Sequence, residues 1–559
     1  MSNSQNNPPV EASVVEASPE SGATSWIYAK PLEDIVTKGT ALARISGKQV
    51  ALFNTSEGIK ACDNRCPHEG YPLTEGSLSG KCTLTCNWHN WKFDLDSGDN
   101  LYGGDQLRTY PVDIRIGETG QEVWIDVSDP PYAQQYEKIR NNLHGAFIDH
   151  SYDRIAREIA RLEKIGADPL DAIRLSIMWS VDHLEFGWTH AYAAMADWLS
   201  VYLESEGDKE LQLLSLVECV AHTSFDVLRE DEYPFSPNTQ PFNANGFVEA
   251  IESEDEPTAT AMIRGGLAQG LQFEDFEYAL TQAAFAHYND FGHSLIYVTK
   301  AQELILMLGI EVAEPLLLSL VRNLIFATRE DKIPEFRSYQ SVLESWTSTH
   351  TETNRDLASP CSDHWFRKGI KPSLETTLSF KHLSADSIYT PLLDTLARNM
   401  LNFDLSQQYK THIKVSGNVN WLDFTHGLTF ANAVRKQCQK FPALWPQGLL
   451  QMACFAGRNA AFVIDECQFD EWKPDLSDGN LDAHIENILQ QVFDHGLDEY
   501  IVSVHWIKTA LAVKEEIKCC NDESAQILFA ALNRFIHSPL KRKQPRRTAY
   551  QSLEFVAKE

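Results

Sequence analysis

The chain changes its hydrophobic rhythm near residue 128. Between Trp26 and Val127, apolar and polar positions alternate with a period of two. Examples are Gln49-Val50-Ala51-Leu52-Phe53-Asn54 and Glu122-Val123-Trp124-Ile125-Asp126-Val127. Glycine and aspartate interrupt these runs at Glu57-Gly58, Ser97-Gly98-Asp99, Gly103-Gly104-Asp105 and Gly117, the punctuation of short strands and tight turns. Ser128-Asp129-Pro130-Pro131 ends the pattern, because proline has no amide proton to give a ladder. Beyond it the period is 3.6. Ile155, Ile159 and Leu162 share one face of a helix predicted over Ser151–Ile165. Leu211–Val220, Leu304–Leu308, Pro315–Ala327, Leu392–Leu401, Ala443–Phe455, Leu481–Val492, Ile507–Ile517 and Ser524–Ile536 also read as helices.

The expected organisation is multidomain: a small all-β domain followed by a large, mostly α-helical, histidine-containing domain. Residues 1–24 read as a disordered tail rich in Ser, Glu, Pro and Asn. The β domain takes 25–128 and a linker 129–140. The helical domain takes 141–540, as one bundle or two sub-bundles, with loops at Pro234–Asn245 and Thr347–Pro372. A basic tail, 541–559, stands out on an acidic chain and reads as a solvated end, an intramolecular pairing or a docking element.

Charge narrows the partners. The 559 residues carry a formal net charge of -30, which repels nucleic acid and anionic lipid. No uncharged apolar run reaches the ~18 residues of a membrane span, and the start has no secretory pattern. A cytoplasmic protein is expected. Four of the eleven cysteines, Cys62, Cys66, Cys82 and Cys86, cluster within 25 residues beside histidines, which in a reducing compartment points to metal binding.

Cys66-Pro67-His68 is followed, 17 residues on, by Cys86-Asn87-Trp88-His89. This Cys-x-His and Cys-x-x-His pair resembles the Rieske-type 2Fe–2S family over residues 25–128, with Pro67, Gly70, Trp91, Phe93 and Gly98 matching around it. The resemblance implies that Cys66 and Cys86 hold one iron and His68 and His89 the other. Two imidazoles in place of two thiolates raise the cluster potential. Zinc fingers interleave their ligands differently. High-potential relatives carry a loop-bridging disulfide and hydroxyls near the cluster. The corresponding positions here are Tyr71 and Trp88 for the disulfide, and Asn90 or Trp91 and Phe93 for the hydroxyls. A potential toward the low end, about -150 mV, is expected. Cys62 and Cys82 read as buried strand residues.

The helical region repeats itself loosely. Glu185-Phe186-Gly187-Trp188-Thr189-His190 aligns with Asp290-Phe291-Gly292-His293 and Asp423-Phe424-Thr425-His426; Ser503-Val504-His505 is a fourth copy lacking the acid. Acid and histidine three apart project from one helical face. The histidines His190, His293, His426 and His505 are the candidate catalytic residues. His190, Asp290, His293, Asp423 and His426 form a candidate second metal site, suited to non-haem iron, with manganese or zinc as alternatives. His183, His222 and His287 lie near the same segments. The repeated histidines and the segment Phe291–Leu320 resemble the questin oxidase-like family, which implies an α-helical fold and oxidation of aromatic rings.

The leading reading is an oxidoreductase enzyme. The 2Fe–2S cluster passes single electrons from a separate reductase or ferredoxin to a substrate or metal site in the helical domain, for oxygen-dependent oxidation of an organic, aromatic-type substrate. Two other readings stay open. One is a non-catalytic ferredoxin-like carrier with a helical docking or sensing extension. The other is a divergent Rieske non-haem iron oxygenase, for which Asp423-Phe424-Thr425-His426 lacks the following histidine and His144, Asp149 and His150 are an imperfect candidate.

Overall fold

The computed structural model describes residues 26–559 except 119, 289, 348–358, 465–467 and 476–479. The expected tail 1–24 and the middle of the Thr347–Pro372 connection lie outside the described residues. The chain forms two compact units, Met1–Ala146 and Phe147–Glu559.

The first unit is built from eleven short strands. They are β1 (Trp26–Pro31), β2 (Thr40–Ile45), β3 (Lys48–Thr55), β4 (Gly58–Asp63), β5 (Ser77–Ser79), β6 (Thr83–Thr85), β7 (Lys92–Asp94), β8 (Asn100–Tyr102), β9 (Thr109–Tyr110), β10 (Val112–Gly117) and β11 (Gly120–Asp126). They pair antiparallel in three sheets, ordered β1-β11-β10, β2-β3-β4-β9 and β5-β6-β7-β8. Two apolar cores result. Strand β3 serves both, because successive side chains point to opposite faces. Val50 and Leu52 enter the core of Ile45, Val123 and Ile125. Ala51 and Phe53 enter the core of Leu84, Phe93, Cys66 and Cys86. The alternation in this strand therefore separates two buried cores rather than a core from solvent.

The segment expected as a linker, 129–140, is not extended: Tyr132–Ile148 is a helix. The second unit is helical, as the 3.6 rhythm requires. Ile155, Ile159 and Leu162 are buried on the helix Tyr152–Lys164. The predicted helices near 211–220, 315–327, 392–401, 481–492 and 524–536 lie within Lys209–Asp226, Ala313–Phe326, Ala385–Leu401, Leu481–Phe493 and Asp522–His537, to within a residue at the ends. The basic tail folds back as a helix, Pro545–Val556. Its buried Arg547 donates to the carbonyls of Lys410 and Gln407 (2.8 and 2.6 Å), so this end pairs within the chain. Among the described residues, no helix is long and apolar enough to cross a membrane.

Four helices shape the interior of the second unit: His190–Glu204, His293–Leu308, Leu422–Lys440 and Tyr500–Ile517. Each packs against two of the others, so they close a ring.

Candidate functional site

Two loops of the first unit hold Cys66, His68, Cys86 and His89, and they share one hydrogen-bond pattern. Cys66 N–H donates to Tyr71 O (2.9 Å) and Gly70 N–H to Cys66 O (2.8 Å); Cys86 N–H donates to Trp91 O (2.8 Å) and Asn90 N–H to Cys86 O (2.9 Å). The fifth residue of each loop, Gly70 (φ 74°) or Asn90 (φ 64°), is left-handed, a conformation that glycine and asparagine tolerate best. Asn87 ties one loop to the other, donating to Glu75 O (2.8 Å) and accepting from Ser77 Oγ (2.9 Å).

The four side chains converge. Both cysteines are buried, whereas His68 is half-buried and His89 exposed. The two imidazoles lie 4.5 Å apart, centroid to centroid, and His68 stacks on Trp91 at 4.6 Å. A Cβ on Gly103 would meet the Trp91 ring at 2.4 Å, so glycine there lets the indole seat against His68. Burial pushes the Cys66 thiol up to about 12; the Cys86 thiol beside it adds to this, while the backbone N–H groups of His68 and Glu69 counter it. Two adjacent buried thiols beside two outward imidazoles fit a 2Fe–2S cluster with one sulfur-held and one nitrogen-held iron. Cys62, on β4, is fully buried and its thiol is pushed well up by burial. Cys82 sits in the turn before β6, its sulfur 3.8 Å from Thr55 Oγ1.

Two features were not visible in the motif. Glu69 places its carboxylate 3.9 Å from His68 Nε2 and 3.8 Å from His89 Nδ1, a negative charge that favours the oxidised cluster. Tyr71 stacks on Trp88 across the loops (5.7 Å, 15°), at the positions where the disulfide of high-potential relatives would lie.

In the second unit, the four repeated histidines meet. His190 and His293 are the first residues of their helices; His426 and His505 sit in the second turn of theirs. His293 Nε2 lies 3.1 Å from His190 Nε2 and 2.8 Å from His426 Nε2, and His505 Nε2 lies 3.3 Å from His426 Nε2. Ligand nitrogens of His190, His426 and His505 all fall within 4.8 Å of one another.

The ring tautomers follow from the backbone. His293 Nδ1 faces Asp290 O (2.5 Å), His426 Nδ1 faces Leu422 O (2.6 Å) and His505 Nδ1 faces Ile501 O (2.6 Å). A carbonyl only accepts, so each Nδ1 donates and each neutral ring leaves Nε2 bare. Burial pushes His190, His426 and His505 well below the usual histidine range, and the Lys508 ammonium adds to the effect on each. Neutral rings aiming lone pairs at one another repel unless a cation lies between them. With imidazole nitrogens about 2.0–2.1 Å from an ion, neighbouring nitrogens are about 2.9 Å apart at right angles and about 3.4 Å apart at the tetrahedral angle. The observed spacings fall close to this range, so the residues fit a metal ion.

A strained turn delivers His293. Asp290 (φ 44°), Phe291 (φ 55°) and Gly292 (φ 78°) are consecutive left-handed residues, a conformation costing about 1–3 kcal/mol at each non-glycine position. Asp290 N–H donates to Thr328 O (2.8 Å), Phe291 N–H donates to Glu330 Oε2 (3.1 Å), and the Arg458 guanidinium covers the Phe291 ring at 4.1 Å. A Cβ on Gly292 would lie 2.5 Å from the Phe430 ring.

The two aspartates of the expected second site stand aside. Asp423 binds Arg458 through Oδ1 (2.7 Å) and accepts from Asn420 N–H through Oδ2 (2.8 Å), so both oxygens are engaged away from the histidines. Asp290 reaches His293 only on the Nδ1 edge, at 3.5 Å. The other nearby histidines are also placed elsewhere: His222 stacks on Tyr500, His287 lies between Glu252 and Asp331, and His183 meets the carbonyls of Glu230 and Asp231.

Residues 25–111 match the family model described as the Rieske 2Fe-2S domain. The ferredoxin component of the naphthalene 1,2-dioxygenase system of Pseudomonas aeruginosa is 33% identical over 105 residues, 18% of this chain and 96% of the ferredoxin. Oxidoreductase NdmD of Pseudomonas putida is 24% identical over 177 residues, 27% of this chain and 29% of NdmD. The 4beta-methylsterol monooxygenase of Methylococcus capsulatus is 33% identical over 102 residues, 16% of this chain and 26% of that enzyme. The chain thus spans nearly all of the ferredoxin and under a third of the other two.

Proposed function

The chain belongs to the Rieske 2Fe-2S domain family, and from that premise we propose an oxidoreductase whose cluster feeds single electrons to the four-histidine site, where an organic substrate is oxidised with O2. The observation that carries this reading is the convergence of His190, His293, His426 and His505, with His293 Nε2 3.1 Å from His190 Nε2 and 2.8 Å from His426 Nε2, and His505 Nε2 3.3 Å from His426 Nε2. A site built to receive electrons needs a redox-active occupant, and four imidazoles suit non-haem iron or manganese; zinc fits the same ligands but accepts no electron, and finding it there would contradict the reading.

In this reading Cys66 and Cys86 hold the inner iron and His68 and His89 the outer one, whose exposed edge meets the electron donor. That donor is a separate reductase or ferredoxin, in keeping with relatives that are named as ferredoxin components of dioxygenase systems. Glu69 beside both imidazoles, and the lack of a hydroxyl at Asn90, Trp91 and Phe93, leave the reduced cluster less stabilised. The potential then lies near the low end, about -150 mV, which suits a donor to oxygen chemistry. When bound, the second metal supplies the site at which O2 is reduced. The chain itself fixes three imidazole tautomers through backbone carbonyls and keeps His190, His426 and His505 neutral by burial. It leaves the site approachable from the half-buried His190 and His293 side. The resemblance to the questin oxidase-like family points to an aromatic substrate.

Oxygen uptake by the holoprotein with a reductant tests the reading. His293→Ala and His426→Ala each abolish uptake while sparing the Rieske EPR signal; uptake that persists in both variants contradicts it.

A further inference from the structure

The helices that carry the four histidines also border a small, partly open cavity one to two turns further along. It is lined by Asp197, Lys300, Thr429, Asn432, Lys508 and Glu515, among others. Asp197 and Lys508 are each only 2% exposed. Asp197 Oδ2 and Lys508 Nζ have no hydrogen-bond partner among the described residues. Leaving an ammonium and a carboxylate oxygen buried without partners costs several kcal/mol, so the cavity is built to hold something polar. The space open to the centre of a water molecule is about 20 Å³. One water needs roughly 10–15 Å³ by this measure, so one or two waters fit and an organic substrate does not.

From this cavity a continuous chain of charged side chains leads outward. Asp197 Oδ1 accepts from Lys300 Nζ (2.8 Å), which also donates to Glu303 Oε2 (2.7 Å). Glu303 Oε1 accepts from Lys436 Nζ (3.0 Å), and Lys436 pairs with Glu515 Oε2 (2.7 Å). The Glu515 side chain is 43% exposed. The inner end lies in the interior that the histidines share, since Lys508 is one turn beyond His505 and Asp197 two turns beyond His190.

We propose that Glu515, Lys436, Glu303, Lys300 and Asp197, with the hydrated cavity shared with Lys508, form the path by which protons reach the four-histidine site. This rests on the reading of that site as one that reduces O2. Inserting one oxygen atom into a substrate C–H bond follows SH + O2 + 2e⁻ + 2H⁺ → SOH + H2O. The O–O bond breaks, one atom enters the substrate and the other leaves as water. The cluster supplies two electrons, one at a time, and two protons must enter a buried site to match them. Around Lys508 the charged groups are Asp197, Lys300 and Glu303, Lys436, Glu515 and the histidines themselves. Burial, opposed by Asp197 and helped by Lys300, brings Lys508 down to about 8, where amine and ammonium are both populated near neutral pH.

Stopped-flow mixing of dithionite-reduced holoprotein with O2, followed by the optical return of the oxidised cluster, tests the path in H2O and D2O. Asp197→Asn and Lys508→Met, with metal content and Rieske EPR retained, reoxidise about 100-fold more slowly than the parent protein. Glu515→Gln, at the exposed mouth, slows the reaction less and enlarges the solvent isotope effect. Parent rates and isotope effects in Asp197→Asn and Lys508→Met overturn the proposal and leave the chain a structural ion-pair network. If either interior variant loses metal or fails to fold, Glu515→Gln decides, and a parent rate with a parent isotope effect overturns the path. His426→Ala is the reference: if it reoxidises as fast as the parent, the four-histidine site does not reduce O2 and the path falls with it.

Discussion

The Nε2 atoms of His293 and His426 lie 2.8 Å apart although each ring already gives its other nitrogen's proton to a carbonyl, Asp290 O or Leu422 O. With both Nδ1 protons given to carbonyls, the two Nε2 atoms face each other across that gap with no neutral-ring proton to share. A shared proton satisfies one pair; a metal ion satisfies all four rings together. The repeated turn-then-helix text of the second unit exists, in this view, to bring four ring edges to one point.

Asp423 separates this site from a carboxylate-bearing one. Its oxygens are engaged by Arg458 and by Asn420 N–H. Asp423→Asn is expected to cost about 1–3 kcal/mol of stability, through the lost ion pair with Arg458 and the weakened hydrogen bond from Asn420 N–H, while leaving the second metal in place. Thermal unfolding and metal analysis of one preparation check this. Loss of the metal with unchanged stability would make Asp423 a ligand after all.

His89→Cys probes the first site. His68 stays on the outer iron, so the variant gives that iron one thiolate and one imidazole, which adds negative charge while the loops still hold a cluster. The midpoint potential is expected to fall from about -150 mV toward about -400 mV, the range of plant-type ferredoxins. Redox titration followed by EPR reads this directly, and an unchanged potential would show that His89 is not a ligand.

His287, outside both candidate ligand sets, gives a pH dependence of its own. Burial opposes its charge, but hydrogen bonds to Asp331 (3.0 Å) and Glu252 (3.0 Å) outweigh burial and hold the ring at about 9. A histidine raised above its unfolded value of about 6.5 contributes fully below that pH and loses its contribution as pH climbs through 9. The two carboxylates, held below their usual range, contribute above about pH 4 and lose that contribution as the pH falls. The parent protein should therefore lose about 3 kcal/mol of stability between pH 6.5 and 9 relative to His287→Gln. Denaturant titrations across that interval decide it; parallel curves would show that the triad is not charged as described.

Much of this was legible in the sequence, for identifiable reasons. Cys66, His68, Cys86 and His89 sit on loops whose spacing is fixed by hairpin geometry, so the motif alone located them. The four helical histidines were traceable because similar text surrounds each, although only His190 and His293 follow a turn while His426 and His505 lie inside their helices. Gly187 and Gly292 show why: a Cβ on either would collide with neighbouring atoms at 2.2 and 2.5 Å. The acids of the same repeat were not readable, because spacing places Asp423 and His426 on one helical face without saying which oxygen Asn420 N–H or Arg458 will take. Asp197 and Lys508 gave a weaker signal. Asp197 interrupts the apolar run Ala191–Leu199, but nothing local distinguishes a buried acid from a solvated one until the neighbouring helices are in place. The helix that begins inside 129–140 was not readable because Pro130-Pro131 ends a strand and equally well precedes a helix.

Counting metal in the purified full-length chain, alongside its reduced EPR spectrum, tests the central claim most directly. The account predicts about three metal ions per chain, two of them the cluster irons. In a His293→Ala, His426→Ala double variant it predicts about two, with the rhombic signal intact. Two irons in the parent protein and the same two in the variant would contradict it.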